Sequence, residues 1–138
     1  MKIVIDTNIV ISGIFFGGYS REILKAVTKE KFEAYATNEI IIEYYKTVND
    51  MIERKQGNLD ISALQKFSRN IRIVYPSSNI NICRDPDDDK FIECAVDAKA
   101  LYIISGDKDL LTIKNYDEVE IITAKDFCEK YLSSQTNS

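Results

Sequence analysis

Short apolar runs that end abruptly at polar residues alternate with longer segments in which apolar residues recur every three or four positions. The first pattern is typical of buried β-strands, and the second of amphipathic helices. The strands predicted in this way are 2–5, 32–36, 71–75, 101–105 and 119–123, and the helices are 20–29, 37–55, 60–70, one that opens at about residue 89, and 124–132. Strands that alternate with helices imply crossover connections. The pattern therefore predicts an α/β fold, an α/β/α sandwich with a mainly parallel central sheet of four to five strands.

The predicted elements form one continuous series, without an internal repeat, a low-complexity tract or a linker. With 138 residues, 45% of them hydrophobic, the chain can bury one sizeable core, whereas two domains would be a strain. We therefore expect a single domain over residues 1–132, followed by a polar tail over residues 133–138.

Composition narrows the cellular setting. Apolar runs such as 9–11, 14–16 and 40–42 are far shorter than the roughly 20 residues that cross a bilayer. The first residues also lack the long apolar centre and the small-residue cleavage site of a secretory signal. The three cysteines show no paired spacing, so neither a disulfide framework nor a zinc site is indicated. We expect no membrane span, and a cytoplasmic location.

Acidic residues stand where the predicted sheet would gather them at one edge. Asp6 follows the apolar run 3–5 and Asp107 follows the run 102–106, so both come just after the carboxyl end of a buried strand. Ligands of open α/β sheets bind at that edge. Glu43 in the second long helix and Asp89 at the start of a later helix complete the predicted cluster. Because the chain has no histidine, this chemistry depends on carboxylates.

A dense group of carboxylates needs compensating charge. Two ionised carboxylates about 4 Å apart repel by roughly 4 kcal/mol at an effective dielectric constant near 20, so such a cluster binds cations or takes up protons. Oxygen ligands without nitrogen or thiolate suit Mg²⁺ or Mn²⁺ better than zinc or copper. The sequence predicts a divalent-cation site of this kind.

The third acid of the cluster has alternatives. We choose Asp89 because its spacing to Ile92 and Ala95 would leave it on the side of the helix start that faces the strand ends. Asp87 and Asp88 lie in the same acidic run and are the substitutes.

The net charge of −4, from 22 acidic and 18 basic residues, argues against a broad basic surface that coats nucleic acid. Any substrate groove must then be local. The candidates for phosphate contacts near the proposed edge are Arg21, Lys46, Arg84 and Lys108.

Four segments in this order, 6–8, Glu43, 85–91 and 105–109, resemble the PIN-domain nuclease family. The likeness extends from Lys2 to about Leu132, and it is greatest to the prokaryotic branch of toxin components of toxin-antitoxin pairs. Each motif alone is weak, but four in order at suitable spacing are specific.

This resemblance implies a metal-dependent endoribonuclease in which Mg²⁺ or Mn²⁺ is bound and RNA is hydrolysed by Asp6, Glu43, Asp89 and Asp107. It implies that Asn8 and Ser105 help to orient the acids, and that Asp109 matches a position that is sometimes a further acid. It also implies a protein antitoxin as partner, and it leaves open whether a homodimer forms.

Two other functions compete with this interpretation. An inert interaction module of the same fold would carry no metal, although intact acids at all four positions count against it. A phosphatase that forms an aspartyl phosphate on Asp6 usually needs a second acid two residues later, and that position is Asn8.

Overall fold

A computed structural model describes residues 1–55 and 61–132. The predicted tail 133–138 and the first residue of the predicted helix 60–70 lie outside the described residues. The strands are β1 (Lys2–Ile5), β2 (Glu33–Ala36), β3 (Arg72–Ile73), β4 (Tyr102–Ile104), β5 (Asn115–Tyr116) and β6 (Val119–Ile122). The helices are α1 (Thr7–Phe15), α2 (Gly18–Thr28), α3 (Asn38–Lys55), α4 (Ser62–Ser68), α5 (Asp89–Ala98), α6 (Lys108–Ile113) and α7 (Ala124–Tyr131), with a 3-10 turn, Pro86–Asp88, immediately before α5.

The strands form one sheet in the order β3-β2-β1-β4-β6-β5. All neighbours are parallel except β5 and β6, which pair antiparallel. The chain runs from β1 outward to β3 on one side and then crosses back to β4 on the other side of β1. The carboxyl ends of β1 and β4 therefore meet at the point where the winding reverses, which is the usual ligand-binding position of such a sheet.

The two central strands are apolar from Ile3 to Ile5 and from Tyr102 to Ile104, because helices cover the sheet. Ile3, Val4, Ile5, Ile103 and Ile104 are each at most 1% exposed. Helix α5 packs on β1, β2 and β4, while α1 contacts α2 and α3. These features confirm the predicted α/β architecture with a mainly parallel sheet.

Some predicted elements differ from the observed ones. The segment after Asp6 was not predicted to be helical, yet it forms α1, in which Ile9, Val10 and Ile11 are all buried. A helix buried on several sides has no polar face to reveal its period. The short elements α6 and β5 were also not predicted, and the described residues form a sheet of six strands where four to five were expected. The predicted strand 71–75 shrinks to the two residues of β3, at the edge of the sheet.

Across residues 1–55 and 61–132, no helix is both long and apolar enough to span a bilayer. The cysteines are free thiols, of which Cys94 and Cys128 are buried and Cys83 is half-buried. Burial raises the pKa of Cys94 to about 12 and that of Cys128 to about 11. These two thiols therefore belong to the core.

Candidate active site

Backbone hydrogen bonds hold Asp6 in place independently of its side chain. Its N–H donates to the carbonyl of Ile104 at 3.0 Å, and its carbonyl accepts from Ile9 at 3.0 Å and Val10 at 3.3 Å. The residue thus joins β1, β4 and the first turn of α1. Its side chain is 5% exposed. Burial is the largest cause of a raised pKa for Asp6, and the charges of Asp107 and Glu43 raise it further, against a hydrogen bond from Ser105 that lowers it.

Ser105 links the two acids that follow the central strands. Its hydroxyl donates to Oδ2 of Asp6 at 2.7 Å and accepts the backbone N–H of Asp107 at 3.0 Å. The residue is fully buried, so neither hydrogen bond competes with solvent. Ser105 therefore sets the orientation of Asp6 and the path of the chain into Asp107, the role that the family resemblance implied for it.

Glu43 reaches the same edge of the sheet from α3. The neighbouring Tyr44 is buried in the core, and its hydroxyl donates to the carbonyl of Ile5, which ties α3 to the last residue of β1. The Thr7 hydroxyl donates to Oε2 of Glu43, and the Nζ atom of Lys90 lies 2.6 Å from Oε1. Both carboxylate oxygens of Glu43 are thus held in place.

Asp88, Asp107 and Asp109 form a cluster in which one carboxylate oxygen of each lies within 4.8 Å of the others. Asp107 caps α6 by accepting the N–H of Asp109 at 2.8 Å through Oδ1. Oδ2 of Asp88 is buried and has no hydrogen-bond partner among the described residues. Burial first, and then the charges of Asp107 and Asp85, raise the pKa of Asp88 to about 7.

Asp89 does not join this cluster. Its Oδ1 accepts the backbone N–H groups of Ile82 at 3.1 Å and Cys83 at 2.9 Å, and it does not line the cleft that the other acids share. Asp88 lines that cleft instead. The structure therefore directs Asp89 to the segment that precedes α5, and it places the two substitutes named for it, Asp87 and Asp88, in the cleft.

Asp89 begins a row of acids along α5 that holds the segment before the 3-10 turn. Glu93 accepts the N–H of Ile80 at 2.8 Å, and Asp97 accepts the N–H groups of Ser77 at 2.8 Å and Ser78 at 3.2 Å. Residues four apart lie on one face of a helix. The face of α5 that carries this row therefore serves the structure of the neighbouring segment.

Lys90 is a residue of the cleft that sequence reasoning missed. Its side chain is 8% exposed, and its Nζ atom lies 2.6 Å from Glu43 and 2.9 Å from Oδ1 of Asp87. A signal was present in the sequence, since Lys90 follows Asp87 by three residues at a helix start and comes directly after an acidic run.

The basic residues predicted from the sequence as phosphate contacts make fewer contacts with the acids of the cleft than Lys90 does. Lys46 lines the cleft, whereas Arg21 donates to the carbonyls of Gly13 and Ile14 elsewhere. Arg84 lies 3.9 Å from Asp109 with its side chain 87% exposed, a weak pairing. Lys108 is exposed on α6.

These side chains surround an open cleft of about 540 Å³. Carboxylates dominate it, with two lysines among the described residues that line it. The lining residues are Asp6, Thr7, Asn8, Glu39, Ile42, Glu43, Lys46, Thr47, Asp50, Asp87, Asp88, Lys90, Phe91 and Asp107. The structure thus gathers three of the four predicted acids, Asp6, Glu43 and Asp107, into one cleft.

Comparison with known proteins places this geometry in a family. The family model for the PIN domain matches residues 2–109. An uncharacterized protein of Methanocaldococcus jannaschii is 34% identical over 143 residues, which cover 95% of this chain and 92% of that protein. The crystal structure of VapBC2 from Rickettsia felis bound to a DNA fragment from their promoter is similar with a TM-score of 0.62 at 14% identity, over 89% of this chain and 98% of the other. This likeness concerns the fold. The family match spans both central strands and every acid of the cleft, and the chain belongs to the PIN-domain family.

Proposed function

We propose that this protein is a metal-dependent endoribonuclease and the toxin component of a toxin-antitoxin pair, and that Asp6, Glu43, Asp88 and Asp107 hold Mg²⁺ or Mn²⁺ in the cleft. Asp88 replaces Asp89 in this set because Asp89 is engaged with backbone N–H groups. The observation that carries the proposal is the buried Oδ2 of Asp88, which lies beside Asp107 and Asp109 and has no hydrogen-bond partner within residues 1–55 and 61–132.

The donor set fits a hard divalent ion. A buried carboxylate oxygen without a partner is costly, and the proximity of other carboxylates raises that cost. A divalent cation would relieve both penalties at once, and oxygen ligands are the ones that Mg²⁺ and Mn²⁺ prefer. Proton uptake by Asp88 is the alternative remedy, in line with its raised pKa.

The chain prepares this site through its own hydrogen bonds. Ser105 orients Asp6, and Thr7 orients Glu43, so the acids keep their positions without waiting for a ligand to arrange them. A divalent ion bound there would activate water for attack on phosphorus and offset the negative charge that develops on the phosphate oxygens. Hydrolysis of a phosphodiester bond is the reaction that this arrangement suits.

The cleft by itself repels a polyanion. The described acidic residues that line it outnumber the basic ones. The acids are Asp6, Glu39, Glu43, Asp50, Asp87, Asp88 and Asp107, and the bases are Lys46 and Lys90. An RNA phosphate can enter only after cations have compensated part of this charge. A divalent ion held by the acids at the carboxyl edge of the sheet would supply this compensation next to the bound phosphate.

The toxin assignment rests on similarity of fold. The similar structure from Rickettsia felis is that of VapBC2 bound to promoter DNA, and the likeness extends over 98% of the matched chain. By analogy, a protein antitoxin would restrain this nuclease in the cytoplasm by covering the acidic cleft.

The decisive experiment measures cleavage of a panel of RNAs by wild type, Asp6→Asn and Asp107→Asn with Mg²⁺, Mn²⁺ or EDTA. We expect metal-dependent cutting that falls by roughly 100-fold or more in both variants, as when a charge-stabilising group is removed. Glu120→Gln removes an exposed acid of β6 outside the cleft and serves as the matched control that keeps full activity.

Cutting that persists in EDTA, or equally in both cleft variants, would reject the proposal and indicate a contaminating nuclease. Absence of cutting together with absence of Mn²⁺ binding would favour the inert module. Induced expression in a bacterial host tests the toxin role, because wild type should stop growth and Asp6→Asn should not.

A further inference from the structure

Lys90 has all of its hydrogen-bonding capacity committed to the acids at the cleft. A lysine ammonium carries three donors. Its contacts are Oε1 of Glu43 at 2.6 Å, Oδ1 of Asp87 at 2.9 Å and the carbonyl of Asp87 at 3.0 Å. No donor is left for a substrate phosphate in this arrangement, so the ammonium serves the protein's own carboxylates.

The pairing crosses between two elements of the site. Glu43 belongs to α3, and Asp87 lies in the 3-10 turn that also carries Asp88. Lys90 thus ties the turn to α3. A buried ammonium is stable only when it is paired, because desolvation otherwise costs several kcal/mol. The carboxylates of Glu43 and Asp87, at 2.6 and 2.9 Å from Nζ, favour the charged ammonium.

Glu43 has no freely available oxygen next to this charge. One oxygen accepts from Thr7 and the other from Lys90. Any divalent ion that approaches Glu43 must share the carboxylate with Lys90 and must tolerate a positive charge a few ångströms away. Such a charge acts strongly in a partly buried site, where the effective dielectric constant is well below that of water.

We propose, on the premise that the cleft binds a divalent metal as described above, that Lys90 is an internal counter-cation that lowers the metal affinity of the site below what its carboxylates would give. The lysine stabilises the metal-free cleft by neutralising Glu43 and Asp87, and the same charge opposes the incoming ion. Lys90 is therefore a positioning residue that sets how tightly metal is held.

The test is titration of Mn²⁺ into the purified chain. Calorimetry and the electron paramagnetic resonance signal of free Mn²⁺ measure how tightly the ion is bound. Lys90→Met removes the charge and keeps the length of the stem, and Lys90→Gln removes the charge and keeps a donor for the acids. We expect both to bind Mn²⁺ at least about tenfold more tightly than wild type. Lys90→Arg retains the charge and should stay close to wild type.

Lys46→Met is the matched control, since Lys46 lines the same cleft but is exposed. Solvent and salt screen an exposed charge, so its removal should change the affinity less than about threefold. Should Lys90→Met fail to fold without metal, Lys90→Gln decides the question with the same titration.

Unchanged or weaker Mn²⁺ binding by the folded Lys90 variants would overturn this inference. In that case the proposed metal site would still be supported if wild type binds Mn²⁺ and Asp107→Asn does not. Wild-type protein that binds no Mn²⁺, or binds it equally after Asp107→Asn, would overturn the proposed function and this inference together.

Discussion

Adjacent carboxylates at the start of α5 have opposite tasks. Asp88 lines the cleft with a buried oxygen that has no hydrogen-bond partner in the described part of the chain, whereas Asp89 accepts two backbone N–H groups of the preceding segment. The sequence identifies the acidic run, but helical periodicity cannot assign its members because the 3-10 turn precedes the α-helix. Lys90 was missed for a related reason, since its burial depends on Glu43 from a distant element.

This division of tasks predicts opposite effects of two neighbouring substitutions. Asp88→Asn should abolish Mn²⁺ binding with little loss of stability, because it removes repulsion with Asp107. Asp89→Ala should keep Mn²⁺ binding but lower the free energy of unfolding by roughly 2 kcal/mol, because it leaves two N–H groups without an acceptor. Urea unfolding and calorimetry of each variant measure both quantities. Loss of metal binding in Asp89→Ala at wild-type stability would restore Asp89 to the site.

Among the elements, α5 combines three structural roles. One side packs on the central strands, its first turn carries Lys90 into the cleft, and Asp89, Glu93 and Asp97 hold the segment before the 3-10 turn. The sequence predicted the strands well, since Ile3, Val4 and Ile5 form a pure apolar run. It did not predict α1, because a helix without a polar face lacks the amphipathic pattern, nor β5, because two residues are too few for a pattern.

The row of acids on α5 predicts acid sensitivity. Burial would raise the pKa of Asp97, but hydrogen bonds from Ser78 and Ser77 outweigh it and lower the pKa. A carboxyl group whose pKa is lower in the folded state stabilises the protein above its unfolded pKa of about 3.9, and this contribution is lost as the pH falls through the folded pKa. Asp97→Asn should therefore be less stable at pH 7 and lose less stability between pH 5 and pH 2.

Urea unfolding at a series of pH values measures this effect. Ser78→Ala removes only one of the donors that lower the pKa, so its pH dependence should lie between those of wild type and Asp97→Asn. A pH dependence of Asp97→Asn identical to that of wild type would contradict the assignment.

At the scale of the whole molecule, the net charge of −4 conceals a concentration of acids at one edge of the sheet. The folded state therefore carries repulsion that the unfolded chain relieves by expanding. The α/β architecture and the edge at which the acids meet could be predicted, because a parallel sheet brings the ends of buried strands together. The pairing of charges inside the cleft could not, because it depends on side-chain directions that only the assembled fold determines.

This repulsion predicts that divalent cations stabilise the fold. A ligand that binds only the folded state adds roughly 2.7 kcal/mol at 100 times its Kd. For a domain of this size, that corresponds to an increase in Tm of several degrees. Thermal unfolding with and without Mn²⁺ measures the shift, EDTA should reverse it, and Asp107→Asn should abolish it. An equal shift in Asp107→Asn would mean that the ion acts elsewhere.

The pairing of β1 with β4 also determines at what point during translation the proposed active site can form. Asp6 is translated about a hundred residues before Ile104, Ser105 and Asp107. A nascent or prematurely terminated chain that lacks β4 has neither the strand beside Asp6 nor the hydroxyl that orients its carboxylate. We therefore expect translation products that stop before β4 to be inactive, and the proposed nuclease activity to begin only after Ser105 and Asp107 have been added.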